Sequence, residues 1–142
     1  CGRGGPRHRV IEVEARSDID GVDLGELIDA VRVACADRGV QRASVGLMVI
    51  GPDQMAQING EHRAKPEPTD VLSFPVDGPD LDDGWPEDGP EPELGDIVIC
   101  PAAAQEPLTT LAVHGLLHLL GYDHEVDDGE MLAIQDAIVD RL

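Results

Sequence analysis

The sequence is poor in several residue types that most domains use freely. Its 142 residues include one Phe, one Trp and one Tyr, so Val, Leu, Ile and Ala must fill the core. No segment approaches the roughly 20 apolar residues of a transmembrane helix, and no charged-then-apolar signal sequence opens the chain. We therefore expect one aliphatic domain over residues 1–142, located in the cytoplasm and without a membrane partner.

Cysteine is also scarce. Cys1, Cys35 and Cys100 are odd in number and scattered, which argues against a disulfide framework. Cys35 and Cys100 lie in apolar stretches and are predicted to be buried thiols in a reducing compartment. The first residues, 1–9, are predicted to be disordered.

Positive charge is limited as well. Lys65 is the single lysine, and ten basic residues face 29 acidic ones, which gives a formal net charge of −19. A net acidic protein repels a polyanion, so binding to nucleic acid requires a local basic patch or bridging by metal ions or a partner.

The apolar periodicity predicts strands that alternate with helices. Between the third and fourth strands, residues 77–93 contain eight acidic residues, four prolines and three glycines, which predicts an exposed, mobile loop insertion. The predicted strands are 10–15, 43–50, 71–75 and 94–100. The predicted helices are 24–38 capped by Asp23, a short helix capped by Asp53 that ends at about 59, a helix from 109 or 110 to 120, and a last helix capped by Asp127 or Asp128.

The segment HGLLHLLGYDH places three histidines at a spacing that can close around one metal ion. His114 and His118 are four residues apart and therefore share one face of a helix. Gly121 accepts a positive φ, so the chain can turn there and bring His124 back as a third ligand. Three protein ligands leave one tetrahedral position open, as in catalytic zinc sites. We predict one Zn²⁺ per chain, although nickel, copper or iron could occupy the same site.

The histidine spacing equals that of the metzincin proteases, HExxHxxGxxH, with one substitution. The glutamate that would act as general base is Gly115 here, so a protease mechanism lacks its base. Asp123, directly before the third histidine, could orient a ligand imidazole or merely shape the turn.

Three polar residues are candidates for binding a phosphodiester substrate. The guanidinium of Arg63 can donate two hydrogen bonds to phosphate oxygens and could stabilise charge in the transition state. Lys65 follows two residues after Arg63, and the Ser73 side chain could contact the substrate. Alternatively, Arg63 is a solvated loop residue and Ser73 is a strand residue that does not contact substrate.

Three sequence blocks resemble the YbeY-type bacterial endoribonucleases, which are rRNA maturation factors. The blocks are INGEHRAKPEPTDVLSFP at 58–75, LGDIVIC at 94–100 and HGLLHLLGYDH at 114–124. The resemblance implies a small α+β domain with a mixed sheet packed against helices and a zincin-like metal-site helix. It also implies zinc-dependent hydrolysis of single-stranded RNA in maturation of the small-subunit rRNA end and in ribosome quality control.

The same resemblance implies partners and a role for one arginine. Arg63 matches the family's catalytically important arginine by its position between Asn59 and PTDVLSFP. The expected partners are ribosomal RNA and the ribosome or small-subunit assembly proteins, and no DNA is expected. The sequence does not distinguish between two nucleophiles, a metal-activated water and the RNA 2′-hydroxyl.

One departure from the family concerns the residues before the histidine helix. Relatives usually carry another helix there, whereas this chain has only PAAAQEPLTT at 101–110. A shorter segment could narrow an RNA groove or expose the sheet. Two other functions remain as alternatives: another metal hydrolase, such as a peptidase, and a noncatalytic ribosome-assembly factor with a structural metal.

Overall fold

The computed structural model describes residues 10–63, 69–77, 91–122 and 129–142. None of the helices in these ranges is both long enough and apolar enough to cross a membrane. In chain order the elements are β1 (Val10–Ser17), α1 (Leu24–Asp37), β2 (Arg42–Val49), α2 (Pro52–Arg63), β3 (Val71–Pro75), β4 (Glu93–Ile99), a 3-10 turn (Pro101–Ala103), α3 (Leu108–Leu119) and α4 (Glu130–Val139).

The four strands form one mixed sheet in the order β1-β2-β4-β3. β2 pairs in parallel with both β1 and β4, whereas β3 pairs antiparallel with β4. The predicted α+β fold with a mixed sheet is therefore confirmed.

The acidic segment 77–93 connects the antiparallel strands β3 and β4. The Asp77 N–H donates to the Glu93 carbonyl at 2.8 Å, and the Glu93 N–H donates to Asp77 Oδ2 at 2.9 Å. These bonds close the base of the loop, while residues 78–90 lie outside the described residues. The segment therefore leads from β3, which is an edge strand of the sheet, to its neighbour β4.

The two faces of the sheet carry different helices, because successive strand residues point to opposite faces. On one face, Leu72 and Val98 pack in a small apolar cluster with Met55 of α2. On the other face, Ile97 belongs to the larger core formed with α1, α3 and α4, which includes Leu116. The histidine helix and α2 therefore lie on opposite sides of the sheet.

Local signals predicted most helix and strand bounds to within two residues. The Asp23 side chain caps α1 by accepting from the Glu26 N–H at 3.1 Å, as predicted. The short helix predicted after an Asp53 cap is longer, since α2 runs from Pro52 to Arg63, and the predicted cap is wrong because Asp53 lies in the first turn of the helix. The predicted cap at Asp127 or Asp128 is wrong, because α4 begins at Glu130 and the residue before it is Gly129.

Two further features match the sequence. Cys35 and Cys100 are both buried free thiols, as predicted. The connection from β4 to α3 is short, as its sequence required: a single 3-10 turn, Pro101–Ala103, precedes α3. The Cys100 N–H donates to the Asp70 carbonyl at 2.9 Å and ties the start of this connection to the residue before β3.

Candidate metal centre

Helix α3 places His114 and His118 one turn apart, as their spacing predicted. The other side of the helix is anchored in the core by fully buried side chains that include Val113, Leu116 and Leu117. Both histidines are half-buried, so their rings lie at the boundary between the core and solvent. The sheet-facing residues thus fix the helix that carries the pair.

The two imidazoles face each other through their Nε2 atoms. The Nε2–Nε2 distance is 3.1 Å, and the rings lie edge to face with centroids 4.7 Å apart. The Nδ1 atom of His118 lies 2.9 Å from the Tyr122 carbonyl oxygen, and the Nδ1 atom of His114 lies 2.7 Å from Oε1 of Gln135. Because a carbonyl oxygen only accepts, each Nδ1 carries the hydrogen and donates it.

This arrangement fits a metal ion. When each Nδ1 holds a hydrogen, a neutral ring keeps its lone pair on Nε2, and two lone pairs at 3.1 Å repel unless a metal ion or a hydrogen lies between them. Two imidazole ligands of tetrahedral zinc have nitrogen atoms about 3.3 Å apart, given Zn–N distances of about 2.0–2.1 Å. Metal-ligating histidines also characteristically donate their other N–H to an oxygen acceptor, as both do here.

The third predicted ligand, His124, lies outside the described residues, as does Asp123. Within the ranges that the structure covers, no group of three or more His, Cys, Asp or Glu side chains comes together as a metal site. The structure thus brings together two of the three predicted ligands, and the role of His124 stays a prediction.

The turn after α3 orients His118. Gly121 has a φ of 100°, as the predicted turn required, and its N–H donates to the His118 carbonyl at 3.0 Å. The Tyr122 N–H donates to the Leu117 carbonyl at 3.1 Å, which completes a Schellman motif. The motif delivers the Tyr122 carbonyl to Nδ1 of His118. Arg38, the residue that follows α1, donates to the Tyr122 hydroxyl at 3.1 Å.

Gly115 is buried against the sheet. A β-carbon at this position would lie 2.7 Å from Cγ2 of Ile97, and the hydroxyl of Ser73 donates to the Gly115 carbonyl at 3.2 Å. The helix and the sheet therefore approach too closely for a side chain at residue 115. The packing leaves no room for the glutamate of the metzincin pattern, since a longer residue would displace Ile97.

The structure places the remaining predicted site residues differently. Ser73 is half-buried with its hydroxyl on Gly115, and its contact with substrate stays a prediction. Arg63 is the last residue of α2, on the sheet face opposite α3, and its side chain is outside the described structure. Lys65 lies in residues 64–68, which are not described.

Two groups that contact the histidines, Gln135 and the Tyr122 carbonyl, were not predicted from the sequence. A carbonyl oxygen leaves no signal in a sequence. Gln135, however, lies four residues after Met131 and three before Ile138, which are buried on the apolar stripe of α4. A glutamine on such a stripe is itself a signal, because a buried amide needs a polar partner.

Two curated proteins that are similar to this chain carry the name Endoribonuclease YbeY. The curated Endoribonuclease YbeY of Streptomyces griseus is 41% identical over 138 residues, covering 84% of this chain and 82% of the relative. Endoribonuclease YbeY of Mycobacterium tuberculosis is 39% identical over 148 residues, covering 92% of this chain and 82% of the relative. That alignment is longer than the 142-residue chain, so it contains positions that only the relative fills.

A solved structure and a family model also match this chain. The solution structure of TM1509 from Thermotoga maritima superposes with a TM-score of 0.56 at 24% identity, covering 92% of this chain and 87% of that chain, and supports the fold. Residues 11–142 match the family model described as Endoribonuclease YbeY. Since this match spans nearly the whole chain and relatives near 40% identity carry the same name, the protein belongs to the endoribonuclease YbeY family.

Proposed function

We propose that this protein is a zinc-dependent endoribonuclease of the cytoplasm that cleaves single-stranded RNA. Its role would be maturation of the small-subunit rRNA end and ribosome quality control. The observation that carries the proposal is the pair of Nε2 atoms of His114 and His118, 3.1 Å apart, with both Nδ1 atoms donating to oxygen. Membership of a family whose curated relatives are named endoribonucleases supplies the substrate class.

In this proposal His114, His118 and His124 hold one zinc ion. Zinc in that position supplies Lewis-acid activation of a water molecule and of the scissile phosphate. Gly115 has no side chain that could take up a proton, and Ile97 occupies the adjacent space. A proton released by the attacking water or hydroxyl group would therefore need an acceptor other than residue 115, which separates this site from a glutamate-dependent peptidase.

The remaining predicted residues bind and orient the substrate in this scheme. Arg63 stabilises developing negative charge on the phosphate oxygens through its two parallel N–H groups. Lys65 and Ser73 contact the substrate, and Asp123 orients a ligand imidazole.

The charge of the protein argues that RNA is delivered by a partner. With a net charge of −19, the chain repels a free polyanion at long range. We therefore expect better cleavage of rRNA within ribosomal particles or assembly intermediates than of naked RNA of the same sequence. Equal rates on both substrates at physiological salt would contradict delivery by the ribosome.

The role of Arg63 is tested by comparing Arg63→Ala with Arg32→Ala. The control removes an exposed arginine from α1 and changes the net charge by the same amount. We expect cleavage of single-stranded RNA to fall about 100-fold or more in Arg63→Ala, as for other charge-stabilising groups, with zinc content unchanged. Equal activity of the two variants would remove Arg63 from the mechanism.

A further inference from the structure

Helix α4 contributes one polar side chain to the buried interface with α3. Gln135 is 8% exposed, and Met131 and Ile138 on the same stripe are fully buried. Its Oε1 lies 2.7 Å from Nδ1 of His114, although the two residues are 21 positions apart in sequence. A buried amide without a partner destabilises a fold, so the bond to His114 accounts for a glutamine at this position.

We propose that Gln135 is a positioning residue that fixes the tautomer and the ring orientation of His114. Its side-chain carbonyl accepts the Nδ1 hydrogen, which leaves the lone pair on Nε2. The bond also sets the ring so that Nε2 points at Nε2 of His118. This inference rests on the proposed metal site and extends it from α3 to α4.

The two histidines are positioned by different means. His118 donates to the backbone carbonyl of Tyr122, in the turn that ends its own helix. Substitution of the Tyr122 side chain leaves this backbone acceptor in place. His114 depends on a side chain from another helix, so its orientation is lost when the acceptor is lost. The geometry of the site therefore depends on the packing of α4 against α3.

Three variants of the full chain test the proposal by zinc affinity. Gln135→Leu removes the acceptor with little change of volume, Gln135→Glu keeps an oxygen acceptor, and Gln54→Leu makes the same change at an exposed position of α2. Zinc affinity is measured by competition with a chromophoric chelator. We expect Gln135→Leu to bind zinc about 10- to 100-fold more weakly, with Gln135→Glu and Gln54→Leu within a few-fold of the original protein.

A second readout separates positioning from general loss of structure. Long-range ¹H–¹⁵N spectra of the metal-free protein at mildly alkaline pH report which ring nitrogen carries the hydrogen. We expect the Nδ1–H form at His114 in the original protein and in Gln54→Leu, and a mixture of tautomers in Gln135→Leu. Unchanged zinc affinity, or an unchanged tautomer in Gln135→Leu, would overturn the proposal.

Neither measurement uses RNA, so the outcome is independent of cleavage. If the original protein binds zinc and Gln135→Leu does not, the positioning role stands even where no RNA is cut, and only the proposed function fails. If the original protein binds no zinc, the positioning role fails as well.

Discussion

Gly115 of α3 faces Ile97 of β4 at a distance that excludes even a β-carbon, which would lie 2.7 Å from Cγ2 of the isoleucine. Glycine inside a helix is less favourable than alanine by about 1 kcal/mol. The close approach of helix and sheet that it permits buries the apolar side of α3 and sets His114 and His118 at the edge of the core. Gly115 therefore affects both how closely α3 packs on the sheet and where the two histidines lie.

Gly115→Ala is expected to destabilise the protein by about 1–3 kcal/mol through overpacking against Ile97. The gain in helix propensity offsets part of this cost. The free energy of unfolding is measured in urea for Gly115→Ala, Ile97→Ala and the double variant. In the Ile97→Ala background the same substitution should cost clearly less, because Cγ1 and Cγ2 of Ile97 are gone, although the Ser73 hydroxyl still lies 3.3 Å from the added β-carbon. An equal cost in both backgrounds would show that the contact is not the cause.

Two glycines of the sheet should respond differently to alanine. Gly95 has a φ of 139°, and an added β-carbon would meet the Phe74 backbone carbonyl, so Gly95→Ala should cost at least about 3 kcal/mol. At Gly46 the added β-carbon meets mainly the carboxylate of Asp96, an exposed side chain that can rotate away. Gly46→Ala should therefore change stability by less than about 1 kcal/mol. Urea unfolding of both variants checks the contrast, and similar losses would contradict it.

The acid stability of the protein should depend in part on Asp37. Partial desolvation raises the pKa of its carboxyl, but hydrogen bonds and positive charge from Arg38 and Arg141 outweigh this, so the pKa is held below its usual value. A lowered folded-state pKa stabilises the fold above the unfolded-state pKa of about 3.9, and the contribution is lost as pH falls through the folded value.

Asp37→Asn should accordingly lower stability at neutral pH by no more than about 1 kcal/mol, since Arg141 is half exposed and its pairing is screened. The difference from the original protein should shrink as pH falls below about 4. The matched control is Asp29→Asn, the same change at an exposed position of α1. Thermal unfolding across pH checks this, and a difference that grows in acid would have the wrong sign.

His118→Ala distinguishes a catalytic metal from a structural one. It removes one proposed Nε2 ligand and the bond to the Tyr122 carbonyl, while the fully buried residues of α3 remain. We expect loss of zinc and of RNA cleavage, with a folded domain destabilised by only about 1–2 kcal/mol. Circular dichroism and urea unfolding provide the measurement. An unfolded variant would favour the alternative function, a noncatalytic ribosome-assembly factor in which the metal stabilises the fold.

Local physical chemistry made much of the fold predictable from the sequence. Asp23 caps α1, Gly121 turns the chain after α3, and the four-residue spacing of His114 and His118 puts both rings on one helix face. Each of these features depends on residues within one or two helical turns. For the same reason the sequence was sufficient to predict that these two imidazoles lie side by side, whereas their role as metal ligands stays a prediction.

Features set by distant contacts were not predictable. The sequence does not show that β3 pairs antiparallel at the edge of the sheet, or that Ile97 excludes a side chain at Gly115. It also does not show that Gln135 reaches His114 from another helix. These relationships depend on how the elements pack, which periodicity does not encode.

The most direct test of metal-dependent RNA cleavage measures zinc content and cleavage of a single-stranded RNA on the same samples: the original protein, the protein after chelation, and the chelated protein after zinc is restored. We expect one zinc per chain with cleavage, loss of both after chelation, and recovery of both with zinc. Cleavage that continues in the zinc-free protein would contradict the proposed function, and so would full zinc occupancy without cleavage of either free RNA or ribosomal particles.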